Sequence, residues 1–548
     1  DQSWPEEIMP VYNGKTLVLP PPAEDKPLED QVVYKANWHP CFSSTRTVDI
    51  AVKNILETMA ADPNRQWIGL GVMDRGGHCE CDACQKAVAG KRNAMGLPDY
   101  SDLYYRWANN VAERVVEQYP GVYFGVIAYR EVFSAPSFDL HPHIVPSLTI
   151  DIHQMMVPEV RNEKWAQIKA WGEKTDHMVL YEYGWGMNGY ALPRVYYHLH
   201  ADFLKKFHQL GGAGAKFSGW TRKGSEGEGP KVYLTMKLWW NIDLDPDAVI
   251  DEWMETTVGK RAAPYLKKYF QFWEDYCTGE YIRKTAWFKS SFDKQYFRVW
   301  DWNRTQSYTF ALRKGDMARL RKLMEQVAAK TQTPAQAERA QRLLLTFEYY
   351  EANAYALFSE IVPPGGELPD AKTAVEMIKA APRAFKYAEK QKDVLQRIET
   401  GPGSITNMLL EGGRRFDIHE NLAAVFRKVG PFMGHQSVQR ALDELKADED
   451  LPKAFKQRLL RSCQQAYQKS QGRTTTPRAH AGTRSSADID IDGKLDEAFW
   501  KGLPAYQLRD LNSGDQPDVP TSFRMAWTKD ALHVGVRCSE PDMDDLTT

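Results

Sequence analysis

Short apolar runs alternate with amphipathic stretches over the first half of the sequence, and this alternation constrains the fold more than any other feature. Each apolar run has the length of a buried strand and ends in polar or aromatic residues. Because strands that alternate with helices are typical of parallel sheets, we predict such a sheet here. The predicted strands cover residues 67–73, 122–129, 147–153, 177–183 and 215–220.

The stretches between these strands place apolar residues at helical spacing. Glycine or proline ends several of them, as Pro120 and Gly121 do before the second strand. The predicted helices cover residues 47–61, 101–118, 163–175, 195–210, 231–240 and 248–258.

Two architectures fit this alternation: an open doubly wound sheet and a (β/α)8 barrel. No G-x-G-x-x-G or Walker A pattern follows a strand, so a nucleotide-binding sheet has no support. The chain opens at Asp1 without a methionine and stops just after a strand-like run. We therefore expect a fragment cut at both ends, in which residues 1–260 form the C-terminal part of a TIM-type (β/α)8 barrel, from about strand four to strand eight.

The sequence changes character twice after the predicted barrel. Residues 261–470 contain long helical patterns and predict a helical domain. Residues 471–486, rich in Thr, Arg, Ser and Pro, predict a linker. Residues 487–548 contain short alternating strands and predict part of a β-sandwich. The predicted fold class is therefore multidomain, α/β plus α plus β.

Composition excludes some classes of function. Lys and Arg number 70 against 72 Asp and Glu, so the charge balance gives no support for a nucleic-acid partner. No apolar run approaches the roughly 20 residues of a membrane-spanning helix. Aromatic residues make up 12% of the chain, which fits either large cores or surfaces that stack on sugar rings.

Carboxylates lie at or just after the ends of four predicted strands. They are Asp74, Glu131, Asp151 and Glu182. Since parallel strands all end at one face of a barrel, these side chains are expected to converge. The alternatives are that each one caps a loop, pairs with a neighbouring cation or packs outward.

Two of these residues are the predicted catalytic pair. Glu182 lies between Tyr181 and Tyr183, and aromatic surroundings raise a carboxyl pKa and suit a general acid. Asp74 precedes a polar turn that contains two glycines, which suits a carboxylate that orients an amide or a water. The predicted substrate-binding residues are Glu131, Asp151, His153, Tyr129, Tyr183, Trp185 and Trp220.

Four of the seven cysteines are candidates for a structural cluster. They are Cys41, Cys79, Cys81 and Cys84. The short C-x-C-x-x-C spacing fits a structural zinc site or disulfides, and free thiols remain a third alternative. No cofactor is expected for catalysis itself.

Three stretches resemble a known family. They are W-H-P-C-F-S at residues 38–43, Asp74 with G-H-C-E-C-D-A-C at residues 77–84, and L-W-W-N-I-D-L-D at residues 238–245. Together they resemble the domain of unknown function 4838 over about residues 5–260. That family includes glycoside hydrolase family 163, whose members are endo-β-N-acetylglucosaminidases that act on N-glycans. The resemblance implies a TIM-type barrel and glycan cleavage, but does not transfer catalytic residues.

A second resemblance covers the end of the chain. The pattern I-D-G-K-L-D-E-A-F-W at residues 491–500 resembles the start of a family 9 carbohydrate-binding module. Together the two resemblances imply a secreted or periplasmic glycoside hydrolase whose partner is a glycan or polysaccharide. Its mechanism is expected to resemble that of endo-β-N-acetylglucosaminidases, with substrate assistance. The alternatives are an exo-acting, α-glucuronidase-like glycosidase and a non-catalytic glycan-binding protein.

Overall fold

A computed structural model describes residues 6–18, 38–74, 76–182, 191–217, 225–292, 306–401, 418–471, 479–483, 494–508 and 519–539. The chain divides into two compact units. Unit 1 comprises residues 1–355, 362–366 and 389–416, and unit 2 comprises residues 356–361, 367–388 and 417–548. Residues 261–355 thus lie in the same unit as the sheet, and the predicted domain boundaries stay a prediction.

A five-stranded parallel sheet forms the centre of unit 1. Each of the five predicted strands is present within a few residues of its predicted bounds. A two-stranded hairpin, β1 (Val11–Tyr12) and β2 (Lys15–Thr16), precedes the sheet. The sheet strands are β3 (Trp67–Gly69), β4 (Tyr123–Ala128), β5 (Ile144–Ile150), β6 (Met178–Glu182) and β7 (Gly212–Phe217).

The strands of this sheet lie side by side in the order in which they occur along the chain. A doubly wound sheet reverses its strand order at a switch point. No such reversal occurs among the described strands. This part of unit 1 therefore has a mixed α/β architecture in which parallel strands follow one another in sequence order. Closure of these strands into a (β/α)8 barrel stays a prediction.

Helices connect the strands of the sheet, as the apolar spacing predicts. In the helix before β4, Tyr104, Ala108, Val111 and Val115 recur every three or four residues and are fully buried. The helices up to residue 258 are α1 (Thr45–Ala61), α2 (Asp82–Val88), α3 (Ser101–Val116), α4 (Pro158–Gly172), α5 (Tyr197–Gln209), α6 (Lys231–Trp240) and α7 (Pro246–Val258).

The hairpin at the start of the chain lies in a region predicted to be loop. Asn13 and Gly14 form its turn with φ angles of 49° and 75°. Two consecutive positive φ values define the turn type that favours Asn-Gly in two-residue hairpins. The Asn13-Gly14 pair is therefore typical of a hairpin, although the many nearby prolines favoured the prediction of a loop.

Helices continue through unit 1 beyond residue 260. Aromatic side chains pack between them: the rings of Tyr269 and Phe347 meet edge to face with centroids 5.8 Å apart. Phe347, Tyr349 and Tyr350 are buried, so this aromatic stretch packs between helices. The helices are α8 (Ala263–Thr278), α9 (Glu280–Arg283), α10 (Ala286–Phe292), α11 (Asp316–Ala329) and α12 (Pro334–Ala356).

Two long helical patterns in the sequence each form two helices. A break at Ala380 divides residues 371–400 just before Pro382, which has no N–H to continue the ladder of hydrogen bonds. The second break, at residues 448–452, ends at Pro452. The helices are α13 (Ala371–Lys379), α14 (Ala381–Thr400), α15 (Ile418–Phe426), α16 (Gln436–Ala447) and α17 (Lys453–Ser470).

The last part of unit 2 contains a small, mostly antiparallel sheet. The central strand pairs with each of the other three. Phe499, Trp500, Leu503 and Ala526 form its buried core. The strands are β8 (Gly482–Thr483), β9 (Tyr506–Gln507), β10 (Thr521–Trp527) and β11 (Leu532–Cys538). The second sheet of a sandwich and the identity of a carbohydrate-binding module remain predictions.

Among the described residues, no helix has the length and apolar character needed to cross a membrane.

Two glycines in β7 provide a test of how this strand packs. A Cβ added at Gly212 would lie 2.2 Å from the Phe207 ring and 2.8 Å from the Phe207 carbonyl oxygen, whereas at Gly214 the nearest atom is 3.6 Å away. We expect Gly212→Ala to lower the free energy of unfolding by about 1–3 kcal/mol because it overpacks the contact with α5. Gly214→Ala is the matched control, and we expect it to change that energy by less than about 0.5 kcal/mol. Equal losses in urea denaturation would contradict this packing.

Candidate active site at the carboxyl edge of the sheet

The parallel strands bring the predicted acidic residues to one edge of the sheet. Ile150 is in register with Glu182, so Asp151 follows β5 next to the end of β6. Glu131 lies in a short 3₁₀ turn directly after β4, and Asp74 follows β3. Because all five strands run in the same direction, these four carboxyl groups belong to the carboxyl edge of the sheet.

Asp151 and His153 belong to a buried hydrogen-bonded network. The guanidinium of Arg194 forms an ion pair with Asp151, and its Nε donates to His153 Nδ1 at 3.1 Å. Since Nδ1 accepts, the ring proton of His153 lies on Nε2, which donates to the Cys277 carbonyl at 2.8 Å. Burial and the nearby Arg194 charge lower the pKa of His153 well below its ordinary value, so the imidazole is neutral.

Glu182 lies in the same network and is completely buried. The backbone N–H of Ile152 donates to Glu182 Oε2 at 3.1 Å, and the Tyr196 hydroxyl donates to Oε1 at 3.3 Å. Burial raises the pKa of Glu182 well above its ordinary value, and the neighbouring charge of Asp151 raises it further. The structure thus favours the protonated form of Glu182.

A second ion pair completes the network. Lys231 pairs with Glu228, and its Nζ donates to the Arg194 carbonyl at 3.3 Å. Both side chains are buried. The positive charges of Arg194 and Lys231 balance the negative charges of Asp151 and Glu228. Among the described members of the network, charge is therefore balanced when Glu182 carries its proton.

Burial acts against the ionised form of Asp151 as well. Burial raises the pKa of Asp151, while the Arg194 guanidinium opposes that shift. Direct contact with a guanidinium stabilises the carboxylate, so we assign the negative charge to Asp151 and the proton to Glu182. The charge states of Asp151 and Glu182 depend on each other, because the two carboxyl groups are neighbours.

Glu131 is buried at the carboxyl edge, beside the turn that follows Asp74. Arg130 Nη2 contacts Glu131 Oε1 at 3.3 Å, and a Cβ added at Gly76 would lie 3.2 Å from the same oxygen. The side chain of Glu131 therefore packs against the turn that follows Asp74. Arg130 has a φ of 48°, a left-handed conformation that is uncommon for a residue other than glycine.

Two stacked histidines anchor the loop that carries Asp74. The rings of His39 and His78 are parallel, with centroids 4.1 Å apart, and the N–H of Met73 donates to His39 Nε2 at 2.9 Å. Burial, with smaller effects of His39 and Arg130, lowers the pKa of His78 to about 3. His78 is therefore neutral, and the 4.0 Å between its Nε2 and a Glu131 oxygen is not an ion pair. Asp74 itself is exposed.

The structure thus divides the predicted residues into two groups. Asp151, His153 and Glu182 share the buried network, whereas Asp74 and Glu131 lie at the loop after β3. Tyr129 is partly buried directly after β4. Three predicted residues, Tyr183, Trp185 and Trp220, lie outside the described residues.

Four important members of the network were not predicted from the sequence. They are Arg194, Tyr196, Glu228 and Lys231. Arg194 and Tyr196 lie just before α5, at the start of the predicted helix 195–210, and no local pattern marks them as members of a site. Lys231 begins a predicted helix, where a lysine ordinarily indicates only a solvated surface.

The four candidate cysteines come together beside the loop of Asp74. Their sulfur atoms all lie within 4.8 Å of one another. None of them is in a disulfide bond. Cys41 precedes α1, and the other three follow β3 closely, so the cluster joins two separate segments.

A large cavity of unit 1 lies beside helices α8 and α11. Its volume is about 750 Å³, and residues of α8 and α11, including Phe272 and Arg319, line it. None of the strand-end carboxylates lines this cavity. We therefore identify the candidate site from the arrangement of the carboxylates and not from the size of a cavity.

Comparison with known proteins identifies part of the chain. Residues 27–271 match the family described as domain of unknown function (DUF4838). This part of the chain is therefore a DUF4838 domain, which confirms the resemblance inferred from the motifs. No curated protein matches the chain.

One solved structure with a detectable likeness is described as a GH138 enzyme targeting pectin rhamnogalacturonan II. It shares 8% sequence identity, with a TM-score of 0.27, over 87% of this chain and 72% of that chain. A likeness at this level carries no inference about fold or function.

The Arg194–Asp151 pair provides a test of the buried network. We expect Arg194→Met to lower the free energy of unfolding by about 3–5 kcal/mol, because it leaves the Asp151 charge buried without its partner. Arg114→Met is the control, since the Arg114–Asp49 pair is about half exposed, and we expect a loss of about 0–1 kcal/mol. Adding Asp151→Asn to Arg194→Met should recover part of the loss. Similar losses for Arg194→Met and the control in urea denaturation would contradict the network.

The protonation of Glu182 predicts a pH dependence of stability. Its folded pKa is raised above the ordinary value of 4.5, so the folded protein binds a proton that the unfolded chain has released. The resulting stabilisation is present below about pH 4.5 and is lost as pH rises through the folded pKa. We expect the unfolding free energy of the wild type, measured relative to Glu182→Gln, to fall as pH rises across this window. A constant or rising difference in urea denaturation would contradict a protonated Glu182.

Proposed function

We propose that the DUF4838 domain hydrolyses glycosidic bonds, with Glu182 as general acid and Asp74 as the assisting carboxylate. The observation that carries the proposal is the contrast between these two carboxyl groups. Glu182 is buried with a raised pKa, and Asp74 is exposed, although both belong to the carboxyl edge. Different environments for two carboxyl groups are characteristic of glycosidase sites.

The proposed reaction follows from the proton on Glu182. The acid donates this proton to the glycosidic oxygen as the bond from that oxygen to the anomeric carbon breaks. In the substrate-assisted form, the oxygen of the 2-acetamido group attacks the anomeric carbon, and Asp74 orients the amide N–H. Water then attacks the anomeric carbon, displaces the acetamido oxygen and loses a proton to the carboxylate of Glu182.

The other predicted residues have two different roles in this proposal. Asp151 and His153 are almost completely buried in hydrogen bonds with Arg194. We therefore revise the prediction that they contact sugar and propose that they position Glu182 instead. Glu131 remains a proposed substrate-binding residue because it packs against the turn after Asp74, and Tyr129 remains a proposed stacking residue.

The type of glycan is a finer part of the proposal. The motifs shared with relatives of glycoside hydrolase family 163 favour endo-β-N-acetylglucosaminidase action, while α-glucuronidase-like exo action is the alternative. A secreted or periplasmic location is proposed with it, because such glycans are found outside the cytoplasm.

A specific observation favours a second function, non-catalytic glycan binding. The carboxyl group of Glu182 is fully buried, and each of its oxygens has a hydrogen-bond partner within the protein. A general acid must reach the glycosidic oxygen, so catalysis requires the bound glycan to gain access to Glu182. If no such access exists, the network stabilises a binding surface instead.

The activity of two variants tests the proposal. We expect Glu182→Gln to lower kcat on an unactivated glycan by about 10²–10⁴-fold, because it removes the donated proton and preserves the shape of the side chain. Asp74→Asn should lower kcat by at least about tenfold, because a neutral amide cannot balance the positive charge that develops on the substrate's acetamido group as its oxygen attacks. The assay uses the complete gene product on N-glycoproteins and on plant and algal polysaccharides, with products identified by mass spectrometry.

Matched substitutions at the opposite edge of the sheet are the controls. Glu117→Gln and Asp62→Asn change exposed carboxylates that follow α3 and α1, before the start of β4 and β3. Both should retain wild-type kcat. Retention of more than a tenth of turnover by Glu182→Gln or Asp74→Asn would exclude its assigned role. Glycan binding without any product would favour the non-catalytic function, and release of single sugars alone would favour exo action.

A further inference from the structure

We infer that Cys41, Cys79, Cys81 and Cys84 bind a structural zinc ion. The Sγ atom of Cys41 lies 3.8 Å from that of Cys81 and 3.8 Å from that of Cys84. A zinc–sulfur bond is about 2.3 Å long, so neighbouring sulfurs in a tetrahedral site are about 3.8 Å apart. The cluster therefore has the dimensions of a four-thiolate zinc site.

The arrangement distinguishes a metal site from a pair of disulfides. Two disulfides require only two close pairs of sulfur atoms, whereas a tetrahedral site requires every pair to be close. All four sulfur atoms meet this condition, within 4.8 Å of one another. Thiolate ligands suit zinc, and four of them leave no open position for catalysis, so the site is structural.

Neighbouring groups can stabilise the thiolates. The backbone N–H of Val11 donates to Cys79 Sγ at 3.3 Å. The hydroxyl oxygen of Ser43 lies 3.1 Å from Cys41 Sγ and 3.3 Å from Cys84 Sγ. Hydrogen bonds of this kind around the ligands orient them and reduce their negative charge.

The zinc would join two segments that are distant in sequence. Cys41 lies in the segment that precedes α1, and the other ligands lie in the loop between β3 and α2 and in the first turn of α2. The β1–β2 hairpin covers them, because the Glu80 N–H donates to the Val11 carbonyl at 2.8 Å. The ion would therefore hold the loop that contains His78 beside Glu131. This inference does not depend on the proposed hydrolysis.

Metal and thiol analysis of the purified protein tests the inference. We expect about one zinc per chain by mass spectrometry of protein prepared without chelators. All seven thiols should react in denaturant with a chelator, whereas two disulfides in the cluster would leave three. A metal-free protein, three reactive thiols or stoichiometric iron would each overturn the assignment to zinc.

Cysteine variants provide the second arm. Cys79→Ser and Cys84→Ser should lose the zinc and melt at a lower temperature, because metal binding contributes to folding. Cys463→Ser and Cys538→Ser change thiols outside the cluster and should keep one zinc per chain. If the cluster variants do not fold, substitution of Co²⁺ in the wild type replaces this arm. Absorption bands of tetrahedral cobalt–thiolate coordination would support the site, and absorption typical of octahedral Co²⁺ would contradict it.

Discussion

The ion pair between Arg194 and Asp151 is the interaction on which the carboxyl edge of the sheet depends. Both side chains are almost completely buried, and a buried charge is tolerated only with a close partner. The same guanidinium fixes the tautomer of His153 through its Nε. Burial favours the protonated form of Glu182, and the negative charge of Asp151 beside it favours that form further.

The carboxyl edge thus combines a buried network and a loop. The network holds Glu182 between a backbone N–H and the hydroxyl of Tyr196. The loop presents Asp74 and is anchored by the stacked rings of His39 and His78. The proposed zinc site lies at the other end of this loop. The edge therefore holds two carboxyl groups in different environments, and the proposed hydrolysis would use one as the acid and the other as the assisting carboxylate.

Much of this arrangement could be predicted because its signals are local. Apolar runs that end at glycine or polar residues define β3 and β6, and parallel strand direction then places Asp74 and Glu182 at one edge. The short spacing predicted the proximity of three cysteines, whereas that of Cys41 required two separate loops to lie side by side. The partners of Asp151 could not be predicted: Arg194 lies 43 residues away in a segment without a strand or helix pattern. Its burial results from tertiary packing, which a single sequence does not reveal.

Burial and the neighbouring Asp151 charge raise the pKa of Glu182 and so favour its protonated form. Infrared difference spectroscopy of the wild type and Glu182→Gln tests it directly, because protonated and ionised carboxyl groups absorb at different frequencies. We expect a carboxylic-acid band in the wild type that is absent from Glu182→Gln and that persists above pH 4.5, where an ordinary glutamate is ionised. A carboxylate band that disappears on the same substitution would contradict it and would show Glu182 to be ionised in the buried network.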